Sequence, residues 1–120
     1  MALSIQVVES KPRQFVVSPI GSLDSGTAAA LEKQIDSLIA VGGARIVTLD
    51  LAALEFISSM GIRVLFKARK ELARVGGSLC LARIPPPIQK ALEIVEALPS
   101  MQVFASIAEM DAYLAKMQGL

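Results

Sequence analysis

Twice in this chain an apolar stripe at helical spacing runs into a Gly-Gly pair, and each pair is followed almost at once by a short apolar run of strand length. In the first case Ala28, Leu31, Ile35, Leu38 and Ile39 share one face of the stretch from Thr27 to Val41. Gly42-Gly43 closes it, and Arg45-Ile46-Val47-Thr48-Leu49-Asp50-Leu51 follows. In the second, Gly61, Val64, Leu65, Ala68, Leu72 and Val75 form the stripe. Gly76-Gly77 closes it, and Ser78-Leu79-Cys80-Leu81-Ala82 follows. Residues three and four apart stack on one helical face, and glycine most readily takes the left-handed conformation that ends a helix. Helix, stop and strand in alternation require crossover connections, and crossovers place strands in parallel. A run that is apolar almost throughout, as 45–51 is, fits a central strand covered on both faces.

The flanking segments complete the plan. Ile5-Gln6-Val7-Val8-Glu9 and Phe15-Val16-Val17-Ser18 border Ser10-Lys11-Pro12-Arg13, which predicts an antiparallel pair joined by a Pro-containing turn. The stretch between Leu51 and the second helix reads as a short loop. Pro85-Pro86-Pro87 forms a rigid entrance to a third helix over Ile88 to Leu98, closed by Pro99. Gln102-Val103-Phe104-Ala105 has the length of one last short strand. Ser106-Ile107-Ala108-Glu109 has capping-box spacing ahead of Met110 and Leu114, which predicts a fourth helix. No linker or repeat divides the 120 residues, of which 53% are hydrophobic. One domain spanning 1–120 is expected, burying roughly two-thirds of its unfolded surface in one core. The fold class is α/β, a small mixed β-sheet with flanking helices.

Composition excludes several kinds of chemistry. There is no histidine, so a Ser-His-Asp arrangement cannot be built within the chain, and neither a Gly-x-Ser-x-Gly elbow, a Ser-x-x-Lys pair nor a phosphate-binding Gly-rich loop occurs around Ser58 and Ser59. With a single cysteine as well, a transition-metal site is not expected, nor is enzymatic activity or a cofactor. Cys80, within a strand run, cannot form an internal disulfide and reads as a buried thiol. Twelve basic against eleven acidic residues give a formal charge of +1 with no charged block, which argues against nucleic-acid binding. No apolar run approaches the roughly 20 residues of a membrane span, and the N-terminus has no basic region followed by a hydrophobic stretch, so no membrane insertion and a cytoplasmic location are expected.

The chemistry that remains is that of two hydroxyls, Ser58 and Ser59, at the start of the second helix. Their plain account is that one caps the helix by accepting a backbone N–H bond while the other is incidental. Gly61 has an equally plain account in close helix-to-strand packing, and Asp24 in a helix cap. A switch is the alternative. A phosphate on either serine would be tolerated locally by the unpartnered N–H groups and the positive dipole end of the helix. To a docked partner, the added charge of about −1.5 to −2 would be an obstacle. Arg63, Lys67, Lys70 and Arg74 fall opposite the core stripe, and Ile62, Phe66, Arg69 and Ala73 form an intermediate flank. That flank is either the edge of the core or, with Met60, Ile62 and Phe66 exposed beside Ser59, an apolar docking patch.

The run Phe56-Ile57-Ser58-Ser59-Met60-Gly61-Ile62-Arg63-Val64-Leu65 resembles the signature of STAS-domain anti-sigma-factor antagonists, the anti-anti-sigma proteins of bacterial partner-switching systems. The likeness covers almost the whole chain. Gly21-Ser22-Leu23-Asp24 is similar to the family's Gly-Glu-Leu-Asp loop, with Ser22 in place of the glutamate. Val47 to Leu51 resembles its central strand, and Gly76-Gly77 with Leu79-Cys80-Leu81 its turn and next strand. The family's phosphosite reads Asp-Ser-Ser-Gly-Leu. Placing its glycine on Gly61 puts the phosphoacceptor at Ser59, with Ser58 at the acidic position and as the alternative acceptor, and Met60 in place of a small residue. The resemblance implies a STAS-like sheet flanked by helices. It also implies a partner, an anti-sigma factor that is itself a serine kinase of the histidine-kinase-like ATPase fold, bound until Ser59 is phosphorylated and bound again after a serine phosphatase acts. The partner-binding residues expected on this basis are Asp24, Ser58, Met60, Gly61, Ile62, Arg63 and Phe66. The alternative is a STAS scaffold subunit of a lipid-transport or sensory complex that is never phosphorylated.

Overall fold

Alternating helices and strands become a single six-stranded sheet with helices on both faces in the computed structural model, which describes residues 2–98 and 101–117. Strand β1 (Leu3–Lys11) pairs antiparallel with β2 (Gln14–Leu23), Val7 opposite Val17. The turn between them runs through Pro12 and Arg13, the latter at a left-handed φ of +66°. Half-buried Leu3, Ile5 and Val7 alternate with exposed Ser4, Gln6 and Val8, the period-2 pattern of an edge strand with one covered face. Helix α1 (Ala28–Ala40), β3 (Ile46–Asp50), β4 (Leu54–Ile57), α2 (Ser59–Arg74), β5 (Ser78–Ala82), α3 (Pro86–Ile94), β6 (Gln102–Phe104) and α4 (Ile107–Met117) follow in order. The main strand order is β1-β2-β3-β5-β6, parallel everywhere except at β1–β2, while β4 pairs with the far end of β2.

The pleat sorts side chains between two cores. Val47 and Leu49 of β3 and Leu79 and Leu81 of β5 join Leu31 and Ile35 of α1 and Leu65 and Leu72 of α2 in the larger cluster. Cys80, offset by one residue, instead meets Phe104, Met110 and Leu114 in a smaller cluster closed by α4, and Thr48 reaches the same side to donate to the Met110 sulfur. The central strand is thus covered on both faces, as its apolar run requires. Leu31, Leu49, Leu65, Leu72 and Leu81 are all at 0% exposure, so each contributes about 1.5–3 kcal/mol of burial free energy. The second Gly-Gly stop has a steric origin. Gly76 sits at φ +79°, and a Cβ on Gly77 would lie 2.2 Å from the Arg45 carbonyl oxygen.

Three expectations change in the structure. The stretch before α2 is not a loop: Leu54–Ile57 is a parallel strand on β2, because β2 continues past the point where it leaves β3 and its free edge is taken by Gly21↔Leu54, Ser22↔Phe56 and Leu23↔Ile57. A register shift between Gly21 and Ser22 leaves Leu54 and Ile57 buried but Glu55 and Phe56 exposed, which erases the alternation that marks a strand in sequence. The third helix begins earlier, with Pro86 and Pro87 in its first turn, and ends at Ile94; Glu96 at φ +55° turns the chain while the Ala97 N–H donates to the Leu92 carbonyl. Pro99, expected to close it, lies outside the described residues. Asp24 is not the helix cap, since Thr27 occupies the N-cap of α1.

Candidate functional site

The C-terminal ends of β2 and β4 lie side by side, Leu23 against Ile57, and each strand delivers the start of a helix at the same corner of the domain. The Ser58 N–H donates to the Leu23 carbonyl at 2.8 Å, tying the two exits together. Ser58 is the N-cap of α2, at φ −94° and ψ 173°, and its Oγ accepts from the Gly61 N–H at 3.2 Å. It is half-buried and its hydroxyl oxygen is engaged. Ser59, the first residue of the helix proper, is exposed. The two hydroxyls are therefore separated: Ser58 caps the helix and Ser59 faces solvent.

Gly61 makes this corner possible. A Cβ there would sit 2.8 Å from Leu23 Cγ and 2.9 Å from both Ile57 Cγ1 and the Leu23 carbonyl oxygen, so α2 can approach the strand ends only without a side chain at this position. The packing reading of Gly61 holds. On the neighbouring loop, Asp24 Oδ1 accepts from the Gly26 N–H at 2.9 Å, the Thr27 N–H at 3.1 Å and the Thr27 hydroxyl at 3.2 Å. Its carboxylate folds its own loop into the mouth of α1, beside the Ser58 corner.

The surface around Ser59 is apolar with a basic edge. Phe56 is 47% and Met60 41% exposed, Phe66 is half-buried, and Arg63 stands in solvent one turn beyond Ser59. Ser59, Ile62, Arg63, Phe66 and Val95 line a shallow groove of about 250 Å³. The expected patch of Met60, Ile62 and Phe66 needs correction at Ile62, which is buried because it turns toward the core at the helix start. Val95, 48% exposed, joins the groove from the end of α3, while Ile62 lines it from below. No spacing in the sequence marked Val95, since it falls three residues after Leu92 and seven after Ile88, on the buried stripe, and is exposed only because α3 ends at Ile94.

Further along α2 the basic residues divide. Lys67 bridges to α1 through Glu32 at 2.9 Å and Asp36 at 3.9 Å, and its hydrogen bond to Glu32 raises its pKa. Arg74 pairs with Glu71 at 2.7 Å and holds that carboxyl below its ordinary value. A further ion pair escaped the sequence reading. Arg83, at φ +53°, donates through Nε to Asp50 Oδ1 at 2.9 Å and through a second nitrogen to Oδ2. Asp50 is 7% exposed and also accepts from the Ala52 N–H, so this fork steadies the turn leading into β4. Cys80 is buried, and that burial pushes its thiol up to about 11. Among the described residues no group of three or more His, Cys, Asp or Glu could hold a metal ion, and no helix is long and apolar enough to cross a membrane.

Comparison with known proteins bears on the fold and the family. BtrV of Bordetella bronchiseptica, a candidate anti-sigma factor antagonist, is 36% identical over 74 residues, which cover 62% of this chain and 63% of BtrV. The structure of the anti-sigma factor antagonist SpoIIAA in its unphosphorylated form superposes with a TM-score of 0.81 over 98% of each chain at 20% identity. That of the Bacillus cell fate determinant SpoIIAA in its phosphorylated form superposes with a TM-score of 0.74 over 92% of this chain and 99% of the other, at 21% identity. The STAS domain family model matches residues 5–110. With the family model matched over nearly the whole chain and the sheet and helices superposing on those of known antagonists, the chain is a member of the STAS domain family.

Proposed function

We propose that this STAS domain is an anti-sigma-factor antagonist whose docking surface is centred on Ser59 and switched by phosphorylation of that residue. The observation that carries the reading is the division of labour at the start of α2: Ser58 is committed to the cap while Ser59 is exposed beside an apolar groove. A kinase can reach the Ser59 hydroxyl without unfolding the helix start, and phosphorylation there leaves the Ser58 cap in place. The partner is an anti-sigma factor that is also a serine kinase of the histidine-kinase-like ATPase fold, supplying ATP and magnesium itself, and a serine phosphatase restores the free hydroxyl. Both encounters take place in the cytoplasm. Asp24, Met60, Arg63, Phe66 and Val95 form the contact rim, and Ser58, Gly61 and Ile62 hold its shape.

The charge arithmetic is sufficient for a switch. A phosphate adds about −1.5 to −2 charges, and a desolvated or like-charge mismatch at an interface costs several kcal/mol. At about 1.4 kcal/mol per tenfold in affinity, that separates bound from free. The experiment is incubation of the chain with its cognate kinase and ATP, followed by phosphopeptide mapping. Label on Ser59 is expected, and label outside residues 56–63 would overturn the assignment. Ser59→Asp should weaken kinase binding and Ser59→Ala preserve it; equal affinities would refute the charge mechanism. Co-purification with transporter subunits and no label at all would favour the unphosphorylated scaffold.

A further inference from the structure

Two adjoining hollows on α2 share one wall. The groove beside Ser59 ends at Arg63 and Phe66, and the same two residues begin a broader hollow of about 650 Å³ that continues past Arg69 and Lys70 to Ala73. Its floor is aromatic. Phe66 is half-buried, packed on the core below, and the Arg69 guanidinium carbon lies 5.8 Å from its ring centroid. Among the described residues, ion pairs occupy Lys67 and Arg74 of this helix, whereas Arg63, Arg69 and Lys70 are exposed and form no ion pair. A chain of net charge +1 therefore gathers three unpaired cations around one aromatic ring.

We infer that this face of α2 is the charge-reading part of the docking surface, and that it seats an acidic protein segment carrying one apolar anchor. The inference rests on the function proposed above and names the chemistry of the partner. Carboxylates of the segment pair with Arg63, Arg69 and Lys70, and the apolar side chain lies on Phe66. A nucleic acid or an anionic membrane fits this face less well. Three cations fall short of a DNA-binding surface that makes roughly 6–10 phosphate contacts, whereas they match the few carboxylates of a short segment. Arg63 also links docking to phosphorylation. It stands four residues after Ser59, so the two side chains are neighbours on the helix surface. A phosphate on Ser59 takes the guanidinium that the acidic segment would otherwise hold, and the switch acts by withdrawing a cation as well as by adding an anion.

The test is an NMR titration of the whole chain, at low salt, with a short synthetic peptide of Asp and Glu around one central Phe. Backbone shifts are expected at Arg63, Phe66, Arg69, Lys70 and Ala73, and the double change Arg69→Glu with Lys70→Glu should weaken binding about tenfold while leaving the spectrum of the free protein folded. Phosphate installed on Ser59 should weaken the peptide several-fold in the wild type and far less in Arg63→Gln. The inference is overturned by absence of shifts, by shifts elsewhere on the domain, by unchanged binding in the double variant, or by an equal loss on phosphorylation with and without Arg63. Equivalent shifts with a single-stranded DNA oligomer or phosphatidylglycerol vesicles in place of the peptide would also overturn it. Kinase labelling of Ser59 without peptide binding would leave the proposed function standing and remove this inference; the reverse pair of results would do the opposite.

Discussion

Gly61→Ala offers the sharpest perturbation of this molecule, because one methyl group must enter a space that three atoms already fill. The new Cβ would meet Leu23 Cγ at 2.8 Å, Ile57 Cγ1 at 2.9 Å and the Leu23 carbonyl oxygen at 2.9 Å. Two of the obstructing groups belong to buried side chains, and the third is a carbonyl that accepts the Ser58 N–H. None is the free end of a flexible chain. Overpacking of this kind costs about 1–3 kcal/mol. Against it stands the helix preference of alanine over glycine, about 1 kcal/mol in a helix interior and less in a first turn. The expected balance is a loss of about 1–2 kcal/mol, lowering Tm by roughly 5 °C in a domain of this size. Urea denaturation followed by circular dichroism measures it. A second-site change supplies the internal control: Leu23→Ala alone should cost about 2–5 kcal/mol, but combined with Gly61→Ala the total should fall short of the sum by at least about 0.5 kcal/mol. A Gly61→Ala protein as stable as the wild type, or strict additivity with Leu23→Ala, would refute the claim that α2 is wedged against the strand ends.

The two serines should separate in a stability assay, with Ser58→Ala losing about 1 kcal/mol for its cap and Ser59→Ala staying within about 0.5 kcal/mol, both read from urea midpoints. At Asp24, Asn keeps the Oδ1 acceptor and Ala does not, so D24A should destabilise the α1 entrance by about 1 kcal/mol while D24N keeps fold stability and loses only affinity for a cationic partner group, as calorimetry would show. Cys80 sets an alkaline limit. Its thiol titrates near 11 in the folded domain against an ordinary 9.0, so above the ordinary value the unfolded chain ionises first and stability falls as pH rises toward 11. Cys80→Ala should flatten that decline in urea titrations across the same range, and a wild-type curve as flat as the variant's would count against it.

The fold class, both Gly-Gly stops, the central strand and the helical stripes were legible in the sequence because each rests on spacing within a short window. The spacing of Ser106 and Glu109 announced a real cap, the Glu109 N–H donating to Ser106 Oγ. What failed was set by distant partners. Leu54–Ile57 becomes a strand only because β2 outruns β3, and its buried and exposed residues follow from Glu55, the extra residue that β4 carries opposite the Gly21–Ser22 step. Arg83 gave no warning that it would fold back on Asp50, since nothing local distinguishes it from a loop arginine.

At the site the boundary runs between two adjacent residues. The order of residue types determined that serines would open a helix and that glycine would sit three places after the first of them. Only the assembled domain decided that Ser58 would spend its hydroxyl oxygen on Gly61 and that Ser59 would face outward, because the choice depends on the Leu23 carbonyl arriving from another strand to hold the Ser58 N–H. Periodicity is a property of neighbours along the chain, whereas which hydroxyl meets solvent depends on what packs against the turn from outside it.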